Sequence, residues 1–176
     1  MAALWSRPTF MSSSPPTTSA TAAAEAESQS ANTSQLEVRV RFCETDLMGI
    51  VHHANYLTYF EAGRVDWLHK RGVSYEAWAR QGVHLPVVET RLRYRRAARF
   101  DDVLYVHTTC ATLSRVTVKF TYEVKRDAEL ICEGETLLAC VGHEIGAKRL
   151  PDDVLRMLRS PELEPSLWAT ARAPKG

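Results

Sequence analysis

The order of two hydrophobic periods along the chain is what most constrains its fold. One long stretch with a helical period is followed by four consecutive stretches that alternate apolar and polar residues. Tyr56, Tyr59, Phe60, Gly63 and Trp67 recur at helical spacing between about 54 and 70, and Leu57 and Leu68 widen that apolar face. Asn55 stands where a helix cap belongs, and Gly72 follows Lys70 and Arg71 as a stop signal. After a short helical stretch at 74–80, Val88, Thr90, Leu92 and Tyr94 alternate with Glu89, Arg91, Arg93 and Arg95. The stretch 103–112 is rich in Val, Tyr and Thr, and Val116, Val118, Phe120, Tyr122 and Val124 alternate with polar residues. Residues 130–141 complete the set, with Gly134 placed for a bulge. Asp101-Asp102, Ser114-Arg115 and Arg126-Asp127 supply turn chemistry at the joints, and joints this short select antiparallel pairing. One more alternating strand precedes the helix: Leu36, Val38, Val40 and Phe42 against Glu37, Arg39, Arg41 and Cys43.

A helix apolar around so much of its girth must be covered by other structure. The predicted class is therefore α+β, with one antiparallel five-stranded sheet wrapped around one long central helix. A parallel sheet would require strands and helices in alternation. The domain is expected over 36–150. Pro151 opens a terminal helix through Arg159, leaving a C-terminal helix and tail over 151–176. Residues 1–35 are dominated by Ser, Thr, Ala and Pro without periodicity, and are expected to be a disordered N-terminal tail. A targeting peptide fits them less well, because Arg7 is their only basic residue and Glu25 and Glu27 are acidic.

A net charge of +1 calls for neither nucleic acid nor an anionic membrane as partner. Arg91, Arg93, Arg95, Arg96 and Arg99 read as a solvated strand face or as subunit ion pairs. No apolar run approaches the roughly 18–20 residues of a transmembrane segment. Cys43, Cys110, Cys132 and Cys140 form no C-x-x-C pair and read as buried thiols of a cytoplasmic protein. His52 and His53 are adjacent rather than spaced as H-E-x-x-H, so no metal site is expected.

Between the first strand and the long helix runs Glu44-Thr45-Asp46-Leu47-Met48-Gly49-Ile50-Val51-His52-His53-Ala54-Asn55-Tyr56. Asp46 precedes a helix start, where unpaired backbone N–H groups and the helix dipole favour negative charge. An isolated aspartate here would ordinarily cap the helix or pair with Arg41. The whole run, followed by Tyr59-Phe60-Glu61, resembles the 4-hydroxybenzoyl-CoA thioesterase family, most closely its branch of acyl-CoA thioesterases associated with the Tol-Pal system. The resemblance covers about Leu36 to Leu150.

The resemblance implies the hotdog fold and a homodimer as minimal unit, often paired into a homotetramer, with active sites at the dimer interface. It implies an acyl-CoA substrate and no cofactor, CoA being part of the substrate. Carried onto this chain, it makes Asp46 the nucleophile or the general base, and the backbone N–H of His53 the oxyanion donor. Gly49, His52, Asn55 and Tyr56 become substrate-binding candidates, with helix capping an alternative for Asn55. Arg115 matches a position that meets CoA and Thr117 a nearby hydroxyl, although the family is more basic where this chain has Ser114 and Val116. Glu61 is a second acidic candidate, because another hotdog branch places its acid on the central helix. The plainer reading of Glu61 is a supporting residue or an ion pair with Arg64. The expected function is hydrolysis of an acyl-CoA to the free acid and CoA. The alternatives are a non-catalytic acyl-CoA-binding hotdog protein and an acyl-thioester dehydratase or hydratase, for which the His52-His53 pair leaves room.

Overall fold

Strands form where alternation gives one face to a core and the other to solvent. The computed structural model describes residues 32–161. Its strands are β1 (Thr33–Arg39), β2 (Val87–Tyr94), β3 (Val103–Leu113), β4 (Thr117–Arg126) and β5 (Glu129–Ala139). They make one antiparallel five-stranded sheet in the order β1-β3-β4-β5-β2. The helices are α1 (Asn55–His69), α2 (Tyr75–Arg80) and α3 (Asp152–Arg159). The α+β class and the long helix against a single sheet are as the two periods predict. No helix among the described residues is long and apolar enough to cross a membrane.

The inner sheet face presents Leu104, Val106, Cys110, Val118, Phe120, Tyr122 and Val124, all buried. Against them α1 lays Tyr59, Phe60 and Trp67. Phe60 stacks on Tyr122 with ring centroids 4.3 Å apart, and Trp67 meets Phe120 edge-on at 5.2 Å. Burying each such aromatic contributes about 2–3 kcal/mol. Gly63 lets α1 approach β3: a Cβ there would lie 2.5 Å from Thr108 Oγ1 and 2.8 Å from Val106 Cγ1.

Four details depart from the periodic reading. β1 begins at Thr33, ahead of Leu36, because polar pairing holds its first residues: Thr33 Oγ1 meets Thr109 Oγ1 at 2.7 Å, and Ser34 is buried. The rest of the expected N-terminal tail, 1–31, and the chain after 161 lie outside the described residues. β1 ends at Arg39, and Phe42–Glu44 form a 3₁₀ turn, which leaves Cys43 exposed while Cys110, Cys132 and Cys140 are buried. Gly134 marks no bulge; it pairs in register with Leu92 and Tyr122, and its missing Cβ makes room for the Phe60 ring.

Candidate active site

The chain leaves the sheet at Val40, whose N–H donates to Asp102 O at 2.9 Å. After the Phe42–Glu44 turn, Thr45 and Val51 face each other as an isolated antiparallel bridge, so Asp46–Ile50 is the tip of a tight loop. The Asp46 N–H donates to Ile50 O, and the Gly49 N–H to Asp46 O, both at 2.9 Å. This turn needs φ of +69° at Gly49, a conformation glycine adopts without strain. Asp46 Oδ1 accepts the Met48 N–H at 2.8 Å, an Asx turn that orients the carboxylate. Asp46 therefore neither caps α1 nor pairs with Arg41, whose guanidinium goes to Glu44 at 2.8 Å.

The returning leg is tied down bond by bond. The Val51 N–H donates to Ala98 O at 2.8 Å and the His52 N–H to Glu44 O at 2.9 Å. Asn55 is the first residue of α1, not its cap; Ala54 is the N-cap and makes no side-chain cap bond. The Asn55 amide donates to Glu44 O at 2.7 Å, fastening the helix start to the loop. His52 is exposed, its Nδ1 accepts the Ala54 N–H at 3.3 Å, and its ring lies 4.1 Å from that of His53. The His53 carbonyl accepts the Tyr94 hydroxyl at 3.2 Å. The His53 N–H has no acceptor among the described residues.

A cleft of about 310 Å³ opens at this helix start, with Asp46, His53, Tyr56, Tyr94, Arg95 and Arg96 in its wall. The ring of buried Tyr56 meets Tyr94 edge-on at 5.4 Å. Burial pushes the Tyr56 phenol up to about 12 and raises that of Tyr94, so both keep their protons. Arg95 pairs with Glu133 at 2.5 Å, and the more exposed Arg96 stands 3.6 Å from Glu129. Strand periodicity misses these two as cleft residues because they lie beyond the end of β2. The Val51–Ala98 hydrogen bond folds their loop back against the Asp46 loop.

Other expected residues lie elsewhere. Glu61 is exposed in an open groove on α1 beside Thr58, Val65 and His69. It makes no ion pair among the described residues, and Arg64 donates instead to the Tyr122 hydroxyl at 3.3 Å. Arg115 and Thr117 sit at the β3–β4 hairpin. Arg115 is exposed with Asp152 3.7 Å away, and Thr117 Oγ1 meets Ser114 Oγ at 2.8 Å. The eleven residues of β3 separate that hairpin from the Asp46 end by roughly 30 Å, at about 3.3 Å per residue. Gly49 shapes the loop and Asn55 anchors it, while Tyr56 is in the cleft wall. A larger cavity of about 550 Å³ on the outer sheet face, near Arg91, His107 and Glu135, is separate from this constellation.

The cleft thus joins a carboxylate, an unengaged N–H at a helix start and protonated phenols. A carbonyl carbon placed between the first two could be attacked while its oxygen is held.

Comparison with known proteins bears on the family and the fold. Residues 40–158 match the family model described as Thioesterase-like superfamily. The acyl-CoA thioester hydrolase YbgC of Escherichia coli O6:H1 is 31% identical over 105 residues, covering 59% of this chain and 78% of YbgC. Among solved structures, hypothetical protein TT1821 from Thermus thermophilus superposes with a TM-score of 0.69 at 42% identity, covering 71% of this chain and 96% of that one. The DHNA-CoA thioesterase from Staphylococcus aureus superposes with a TM-score of 0.69 at 31% identity, covering 71% and 87%. Since the family model spans more than half of the sequence and the sheet and helix share the hotdog architecture, the chain belongs to the Thioesterase-like superfamily.

Proposed function

We propose that this protein is an acyl-CoA thioesterase, of the kind represented by the Tol-Pal-associated branch, that hydrolyses the thioester to a free carboxylic acid and CoA. The observation that carries this reading is the shared cleft: Asp46 and His53 line one cavity at the start of α1, and the His53 N–H has no acceptor among the described residues. The likeness to YbgC supports the substrate class.

The Asp46 carboxylate attacks the carbonyl carbon, or takes a proton from the water that does. Charge gathers on the carbonyl oxygen and is held by the His53 N–H, with the α1 dipole behind it; one such donor is worth roughly 2.7–4 kcal/mol. The C–S bond then breaks, CoA leaves as the thiol, and water supplies the oxygen of the acid.

The working unit in this proposal is a homodimer, itself able to pair into a homotetramer. Arg115 and Thr117 stand a strand's length from Asp46 in one chain, so one CoA meets all three only when a second copy contributes its hairpin. The three buried thiols fit a cytoplasmic location.

The test is thiol release from short, long and aromatic acyl-CoAs, followed with a chromogenic thiol reagent. Asp46→Asn is expected to lower kcat by about 100-fold or more, the usual cost of losing a nucleophile or base. Unchanged kcat in Asp46→Asn refutes the mechanism. Tight binding without turnover of any substrate would favour a non-catalytic acyl-CoA-binding protein.

A further inference from the structure

Glu44 is a buried carboxylate that the proposed chemistry does not use. Only 5% of its surface is exposed. Its side chain accepts four hydrogen bonds: from the Arg41 N–H at 2.7 Å, Arg41 Nε at 3.0 Å, the Arg41 guanidinium NH2 at 2.8 Å and the Tyr59 hydroxyl at 2.9 Å. Its own peptide oxygen accepts two more, from the His52 N–H at 2.9 Å and the Asn55 amide at 2.7 Å. One residue therefore binds together the chain entering the loop, the chain leaving it and the first turns of α1. Asp46 is two residues after this hub, and His53 follows directly on the His52 that is bonded to it.

We propose that Glu44 is the positioning residue that sets the Asp46 carboxylate against the His53 N–H, and that it requires its ionised side chain to do so. This inference rests on the thioesterase reading. Each carboxylate oxygen faces at least one Arg41 N–H, a group that can only donate, so a side-chain NH2 at either position would meet a donor. A glutamine there would turn its NH2 toward an Arg41 donor whichever way its amide pointed, and the loop would have to give way. The sheet need not follow, because Glu44 lies in the 3₁₀ turn outside it. A displacement of about 1 Å at a reacting centre can cost about 100-fold in rate.

The test compares Glu44→Gln and Tyr59→Phe, each in the wild type and in Asp46→Asn, using full-length protein and the thiol-release assay. Glu44→Gln is expected to lower kcat about 10- to 100-fold with KM within about threefold, and Tyr59→Phe to lower it a few-fold, since one donor of four is lost. In the Asp46→Asn background Glu44→Gln is expected to add little, because a residue acting through Asp46 has nothing left to position. General loss of folded protein would instead scale both backgrounds alike. Wild-type kcat in Glu44→Gln, or an equal fold-loss in both backgrounds, overturns this inference alone. A wild type that releases no thiol from any acyl-CoA overturns the thioesterase reading, and this inference with it.

Discussion

Gly63→Ala sets helix propensity against packing in the helix that carries the cleft. Propensity alone favours alanine by about 1 kcal/mol in a helix interior. The structure opposes it. The added Cβ would meet Thr108 Oγ1 at 2.5 Å and Val106 Cγ1 at 2.8 Å, where carbon contacts are relaxed at about 3.5–4.0 Å. Thr108 and Val106 are β-branched and fully buried, so neither can rotate into free space. Overpacking of this kind costs about 1–3 kcal/mol, and two clashes on stiff side chains place it near the upper end. The net expectation is a loss of about 1–2 kcal/mol, or roughly 3–8 °C in Tm for a domain this size. Urea unfolding followed by far-ultraviolet circular dichroism measures it. Thr108→Ala supplies the internal check, since Thr108 Oγ1 has no hydrogen-bond partner among the described residues and its removal strands no donor there. With the shorter contact gone, the double variant should be about 1 kcal/mol more stable than the two single losses summed. If Gly63→Ala raises stability, or the two substitutions add to within about 0.5 kcal/mol, the close approach of α1 to β3 is not what selects glycine.

Three further outcomes follow from the same coordinates. Burial by itself pushes the Glu44 carboxyl up, but the bonds from the Arg41 N–H, the Arg41 guanidinium and the Tyr59 hydroxyl outweigh it and hold Glu44 below the usual carboxylate range. Its stabilisation is then fully present above about pH 4.3 and lost as pH falls through the lower folded value, so stability should fall with acid more steeply in the wild type than in Glu44→Gln; equal slopes contradict this. Buried Arg71 lies 3.7 Å over the Trp67 ring and donates to Ser160 O and Trp67 O at 3.1 Å each, so Arg71→Met should cost about 2 kcal/mol or more and expose the α3 end to protease. Unchanged proteolysis there would refute a docking role for Arg71. Arg96→Ala, at the cleft wall, should raise KM about 3- to 10-fold for acyl-CoA but not for the matching acyl-pantetheine, an effect that shrinks in salt; a KM change shared by both substrates removes phosphate contact from its role.

Element order and class were legible because they rest on local periods. A side chain every second residue marks a strand face, and one every three or four marks a helix face, so the single sheet, the long helix and the loop bearing Asp46 could all be read before any coordinates. Pairing was not legible, because it depends on which segments the fold brings together. Arg41 stands close to both Glu44 and Asp46 in the chain, and only the 3₁₀ turn assigns it to Glu44. Asn55 looked like a cap, yet its amide is drawn to Glu44 O once the loop closes on itself. Arg95 and Arg96 looked like surface, and become cleft wall through one backbone bond between Val51 and Ala98. The resemblance assigns Arg115 and Asp46 to one substrate, but β3 holds them at opposite ends of the sheet within one chain. Periodicity tells each residue which face it takes, and contacts between distant segments, set by strand order and loop closure, decide what it meets there.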